Sequence, residues 1–400
     1  MTVTNHPESD PAPADPVPAL LHNGTVHSTA EPYAEAMLVD AGQVAWLGSD
    51  ETADRLAQEH MVRQDLDRAL VAPAFVGSVR VTAEEAESGA LAAVLDVAAR
   101  DLGYAALRLH LAAEAAELST EQSRSSLAGR LRQALRTAQS HPVQIYPILE
   151  LGGVRADGGA PSIAPVNTAL DLLGELDRDS THPLSLQLDF AAVAPNLLGV
   201  RSWCAEAGRQ LMLSCSDAEP AAVVDAMVVS QQHLRDLKQT PSPATPTVLV
   251  GFDSQDAEHW QALLNTGAHV LLDRPGHLAT ALRVGVPTAA APQEGQNPWQ
   301  LVSAHVHHPE DPVSVRAGFN AQTRGAYRSL VGAPSGAGQL NPGSSATFAV
   351  WEVDQLAVQT PNSTAAAWST DTRARTPLLP YLDGETLPGL LRTVIQGQSL

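Results

Sequence analysis

The sequence is poor in cationic residues. Lysines and arginines number 24 against 44 aspartates and glutamates in 400 residues, a formal net charge of -20. Such a balance repels phosphate backbones and anionic lipid, so neither nucleic acid nor a membrane is expected as a partner. Cysteine is scarcer still. Cys204 and Cys215 are the two, and they form no Cys-X-X-Cys pattern. Free thiols in a reducing cytoplasm are therefore expected over a disulfide. No apolar run approaches the roughly 20 residues that cross a bilayer. Residues 1–18 lack the basic and apolar regions of a signal peptide. Their Pro, Ala, Asp and Glu content instead predicts a disordered tail, and the whole reads as a cytoplasmic protein. There is no internal repeat of fixed period. A Gly-X-Gly-X-X-Gly phosphate cradle is also missing, which leaves Gly152-Gly153 and Gly158-Gly159 as loop glycines.

What is present is a long alternation of strand-like and helix-like segments. Hydrophobic residues make up 44% of the chain, enough for a large core. Short strand signals occupy 19–26, 36–39 and 43–47, with a turn at 40–42 and helical spacing over 50–59. From residue 71 the pattern changes. Eight apolar or β-branched runs fall near 74–81, 104–109, 143–149, 184–188, 210–214, 247–252, 269–272 and 286–291. Helical spacing fills the seven intervals between them. Parallel neighbours need a crossover, and a helix is the usual one, so the alternation predicts βαβ units. Eight units suggest a closed (β/α)8 barrel, with an open doubly wound sheet as the competing arrangement of the same pattern. A proline-rich connector at 240–246 precedes the sixth run. Beyond the eighth run, 298–306 and 314–331 read as helices, and 346–352 and 393–396 as strands. With no helices between these last strands, they are expected to pair with the amino-terminal ones. The division read from this is a tail at 1–18, a composite β-sandwich from 19–69 plus 336–400, and a barrel over 70–335.

The stretch from Leu70 to Thr82 joins the two patterns, and it carries a resemblance. Pro73-Ala74-Phe75-Val76 resembles the first barrel strand of the amidohydrolase superfamily, in its branch of N-substituted formamide deformylase-like proteins. There the run continues to two metal-binding histidines. Leu21-His22-Asn23-Gly24-Thr25-Val26 and Ala41-Gly42-Gln43-Val44-Ala45-Trp46-Leu47-Gly48 resemble the entry of the same proteins, and Glu150-Leu151-Gly152-Gly153-Val154 resembles a strand end. His307-His308-Pro309, Ser314-Val315-Arg316-Ala317-Gly318-Phe319, Thr323-Arg324-Gly325, Leu340-Asn341-Pro342-Gly343 and Ala349-Val350-Trp351 match towards the carboxyl end. The resemblance implies a distorted (β/α)8 barrel with a small β-sandwich built from both chain ends. It also implies hydrolysis of non-peptide C-N bonds in amides, formamides or cyclic ureas. A divalent metal such as zinc would polarise the carbonyl and activate water, held by donors at carboxyl-terminal strand ends.

The chain departs from that pattern at each aligned metal position. Val79 and Val81 stand where the first-strand histidines belong, Ser214 and Gly251 at the fifth- and sixth-strand histidines, and Gln293 at the eighth-strand aspartate. Alkyl groups offer a cation no lone pair, and a neutral amide is no general base. A zinc site needs three or four donors. No metal is therefore expected, and the catalytic residues stay unassigned. Among what remains, His305, His307 and His308 have usable metal spacing, but they read first as a solvated helix end on the barrel exterior. Asp217, Asp253 and Glu294 follow strand ends and are the weak candidates for relocated chemistry. Glu150 and Asp189 read as structural. Cys215 has no triad around it, and Trp299, Trp351 and Trp368 read as core or interface aromatics. The leading expectation is an amidohydrolase-fold protein with impaired or absent catalysis. It would bind a small molecule in the barrel mouth, or form a homo-oligomer or a mixed oligomer with an active paralogue. The alternative is an active C-N hydrolase using Asp217, Asp253 or Glu294.

Overall fold

Eight strands lie side by side in chain order: Phe75–Val81, Tyr104–Glu114, Gln144–Gly152, Ser185–Asp189, Leu211–Ser214, Val248–Val250, His269–Leu272 and Thr288–Ala290. Every pair is parallel. Helices Ala90–Arg100, Glu121–Gln139, Ala164–Leu176, Leu197–Glu206, Pro220–Leu237, Ala257–Leu264 and Leu278–Val284 fill the intervals. The arrangement is the expected distorted (β/α)8 barrel. This computed structural model describes residues 17–82, 85, 89–154, 156–157, 160–161, 164–360 and 376–400. All but the last two positions of the 1–18 tail lie outside the described residues, as do Gly158, Gly159 and Trp368.

Strand side chains alternate between two faces, and the faces here are chemically distinct. Val76, Ala106, Tyr146, Ile148, Met212, Val248, Leu271 and Ala289 form a buried cluster inside the barrel. Alternate residues, among them Val79, Val81, Leu107, Leu109, Leu149 and Leu213, pack under the helices in a second layer. The amino-terminal end of the interior is filled by Ala326, Tyr327 and Leu330. Arg108, buried on the second strand, holds this plug through Nη2, which donates to Ala326 O at 3.3 Å and to Ser329 Oγ at 2.7 Å. The span 314–331, expected as one helix, is two, Val315–Gln322 and Arg324–Tyr327. Thr323, at φ -115° and ψ -101°, breaks the run.

No pairing among the described residues joins the eighth strand to the first. The seam is closed by side chains instead. Tyr104 donates its hydroxyl to Gln296 O at 2.7 Å, and Phe75 packs edge-on against Trp299, Phe319 and Trp351. Trp299 and Trp351 are fully buried, as expected of core aromatics.

Leu70–Pro73 belongs to a different sheet, in the order Thr25–Val26, Leu70–Pro73, Phe348–Glu352, Gly389–Ile395, Gln398–Ser399. A second sheet orders Gln43–Gly48, Ala36–Asp40, Ala19–His22 and Val62–Asp65. The two sheets share a core that includes Leu21, Met37, Val44, Val71, Phe348 and Val394. Strands from both chain ends therefore meet, and Ala74 alone separates them from the first barrel strand. Among the described residues, no helix is long and apolar enough to cross a membrane.

Candidate active site at the barrel mouth

The carboxyl-terminal strand ends gather a network of polar side chains. On the first strand, Val76 faces the barrel interior, so Ser78 and Arg80 share its face. Arg80 donates to Glu150 twice, Nε to Oε2 at 3.0 Å and Nη2 to Oε1 at 3.1 Å, and its backbone N–H reaches Glu294 Oε2 at 3.3 Å. This forked contact with Glu150 holds the guanidinium above its usual pKa. His110 lies opposite Arg80 on the second strand, with Nδ1 3.9 Å from Glu150 Oε2. Its side chain is only 13% exposed. Burial holds the imidazole well below its ordinary pKa, while Glu150 opposes the shift and Arg108 and Arg80 add to it. The ring is neutral at neutral pH. Gln187 on the fourth strand lies beside it and donates through Nε2 to Ser214 Oγ at 2.9 Å.

The five positions aligned to the metal donors do not converge. Val79 and Val81 point out of the barrel, into the apolar layer under the helices with Leu91 and Leu95. They were expected at the site; strand alternation puts Ser78 and Arg80 there instead. Ser214 does face inward. Gly251 ends the sixth strand at φ +69°, and a Cβ there would collide with Ser216 Oγ and come within 2.7 Å of Asp273 Oδ2. Any side chain at this position is strained at that φ and needs the Ser216 and Asp273 side chains to shift, and even Gly251→Ala is expected to cost ~1–3 kcal/mol. Urea denaturation of the variant checks this, and an unchanged midpoint would contradict it. Gln293 sits in an exposed turn in which its backbone N–H donates to Gln296 Oε1.

The relocated carboxylates are equally dispersed. Asp253 is paired with His277 Nε2 at 2.7 Å and Arg274 Nη1 at 3.8 Å. Asp217 is exposed, and Glu294 bonds the Arg80 backbone. Asp189 caps a short helix by accepting from Ala191 N at 2.9 Å. His305 is fully buried rather than solvated, because its helix packs that face inward; its Nδ1 accepts from Gly276 N. His307 contacts Leu382 O and His308 accepts from Asp311 N, so the three rings serve separate partners. Cys204 and Cys215 are free and buried, and burial pushes both thiols up to about 12, which removes the thiolate a nucleophile needs.

The resemblance implies a divalent metal in this mouth, and the residues present do not fit one. A guanidinium already sits against the mouth's Glu150, and a second cation there would face Arg80. Among the described residues, no group of three or more His, Cys, Asp or Glu side chains could hold a metal ion.

Comparison with known proteins gives the fold independently. No protein-family model matches the chain, and no curated protein matches it in sequence. Solved structures do. An amidohydrolase from an environmental sample of the Sargasso Sea is 12% identical, with 96% of this chain and 92% of that chain covered and a TM-score of 0.64. E. coli guanine deaminase is 14% identical over 96% and 95%, with a TM-score of 0.59. An adenosine deaminase from Xanthomonas campestris with bound zinc is 12% identical over 97% and 93%, with a TM-score of 0.61. The chain has the amidohydrolase fold over nearly its whole length. The formamide deformylase branch is not among these three.

Proposed function

We infer that this amidohydrolase-fold chain uses its barrel mouth to bind a small polar molecule, and that it does so without the metal-dependent hydrolysis associated with the fold. The observation that carries the reading is the forked Arg80–Glu150 pair, a fixed organic cation on the inward face of the first strand. Behind it, a neutral His110 with a depressed pKa is a weak base at neutral pH, since a general base works best with a pKa near the working pH. Ser214 is engaged by Gln187. What these groups offer is directed hydrogen bonding to an amide, formamide or cyclic urea: a guanidinium donor, a carboxylate acceptor and a carboxamide.

The test has two arms. After incubation with zinc and dialysis, elemental analysis is expected to find far less than one metal per chain. Titration with hydantoin, followed by calorimetry, is expected to show saturable binding that Arg80→Gln weakens ~10-fold, the loss of about one charge-assisted hydrogen bond. Stoichiometric zinc would overturn the reading. So would turnover of an amide, formamide or hydantoin that Asp253→Asn abolishes.

A further inference from the structure

We propose that the amino-terminal face of the barrel carries a binding site for a small organic phosphate, separate from the mouth. The site is a cavity of about 500 Å³ lined by Arg316, Arg324 and Arg328, with Asn320 and His269 alongside and Leu282 on its apolar side. His269 and Thr288 begin the seventh and eighth strands, which places the cavity at the opposite end of the barrel from Arg80. It does not rest on the reading of the mouth.

Charge is the first argument. No aspartate or glutamate lines the cavity, and none of the three arginines makes an ion pair among the described residues. Other arginines, such as Arg55, Arg100 and Arg132, find carboxylates. Three guanidiniums held together without counter-charge repel one another, and an anion relieves that cost. The second argument is placement. Arg316, Asn320, Arg324 and Arg328 stand four residues apart, and the two short helices broken at Thr323 set them along one cavity wall. The forked donors of arginine match phosphate oxygens in pairs. Leu282, 49% exposed, offers the organic part of a ligand an apolar surface. The volume falls within the usual range for small-molecule sites. A polyanion fits less well, because three cations within a chain of net charge -20 cannot neutralise a long backbone.

His269 supplies an internal reporter. Burial, with Arg328 adding to it, holds its imidazole below the ordinary value, so an anion bound beside it must raise its pKa.

Phenyl phosphate is the probe. Calorimetry in low salt is expected to show one saturable site, weakened 10-fold or more by Arg324→Gln combined with Arg328→Gln and unchanged by Arg80→Gln. NMR titration is expected to show the His269 pKa rising in the complex. Both replaced arginines are solvent-exposed, so the double variant keeps its fold. Absence of saturable binding in low salt would overturn the proposal, as would equal binding by the double variant or loss of binding in Arg80→Gln. Concentration-dependent dimerisation in sedimentation velocity, abolished by the double variant, would assign the face to an acidic surface of a second copy and overturn it too.

Discussion

Replacing Arg201 with alanine is expected to lower the folding stability by ~4 kcal/mol, a large share of the 5–15 kcal/mol typical of a folded protein. Arg201 lies on helix Leu197–Glu206 and is 1% exposed, with no carboxylate partner among the described residues. All of its donors are used. Nε reaches Thr247 Oγ1, Nη1 reaches Met227 O and Ser230 Oγ, and Nη2 reaches Gln231 Oε1 and Thr266 O, at 2.7 to 3.3 Å. Those acceptors belong to helix Pro220–Leu237, to the approach to the sixth strand and to the turn after helix Ala257–Leu264. One guanidinium therefore ties together three successive βα units. Truncation leaves several acceptors in a dry interior, each costing about 1–3 kcal/mol if unpaired, and opens a cavity as well. Arg201→Lys is expected to recover little, because a point ammonium cannot reach acceptors arranged for a planar fork. Urea denaturation of both variants checks this; a loss below ~1 kcal/mol for the alanine variant would contradict it.

Arg201 also marks where sequence reading ends. Its partners come from segments 26 to 65 residues away, and no local pattern foretells that five neutral acceptors will converge on it. The barrel itself was legible because its signal is local. Periods near 2 and near 3.6 alternate eight times, and each of the eight runs lies on an observed strand. The mouth was half legible. Matching letters to the family motif put Val79 and Val81 at the site, yet parity in the same stretch points the other way. Phe75, Gly77, Val79 and Val81 share a face, while Ser78 and Arg80 occupy the opposite one. On the second strand, Leu107, Leu109 and Leu111 form the apolar side, which leaves Arg108 and His110 facing inward. Two polar residues on the inward parity of adjacent strands were the available signal. The burial of His305 was not available, since a histidine at i, i+3 from another is equally consistent with either face of its helix.

Buried histidines make the second large prediction: His27 and His305 together are expected to remove about 4 kcal/mol of stability between pH 7 and pH 5. His27, 5% exposed, donates from Nδ1 to Leu378 O at 3.0 Å and packs edge-on against Phe319. His305 is fully buried against Gly276. Burial is the main cause in both, and each is pushed down from 6.5 to about 4. The sign follows directly. Between those two values the unfolded chain binds a proton at each site and the folded chain does not. Stability is therefore full above about pH 6.5 and is lost as pH falls towards 4. Each site contributes ~3 kcal/mol over the whole window and ~2 kcal/mol by pH 5. An opposing effect exists, because acid also reduces the self-repulsion of a chain with net charge -20. Comparison with His27→Gln combined with His305→Gln separates the two, since repulsion is nearly the same in both proteins. The variant is expected to be less stable at pH 7 and to lose about 4 kcal/mol of the pH dependence, the remainder belonging to other buried imidazoles such as His110. Urea midpoints at pH 5, 6 and 7 in constant salt provide the measurement, and parallel pH profiles for the two proteins would show that neither imidazole is excluded from protons by the fold.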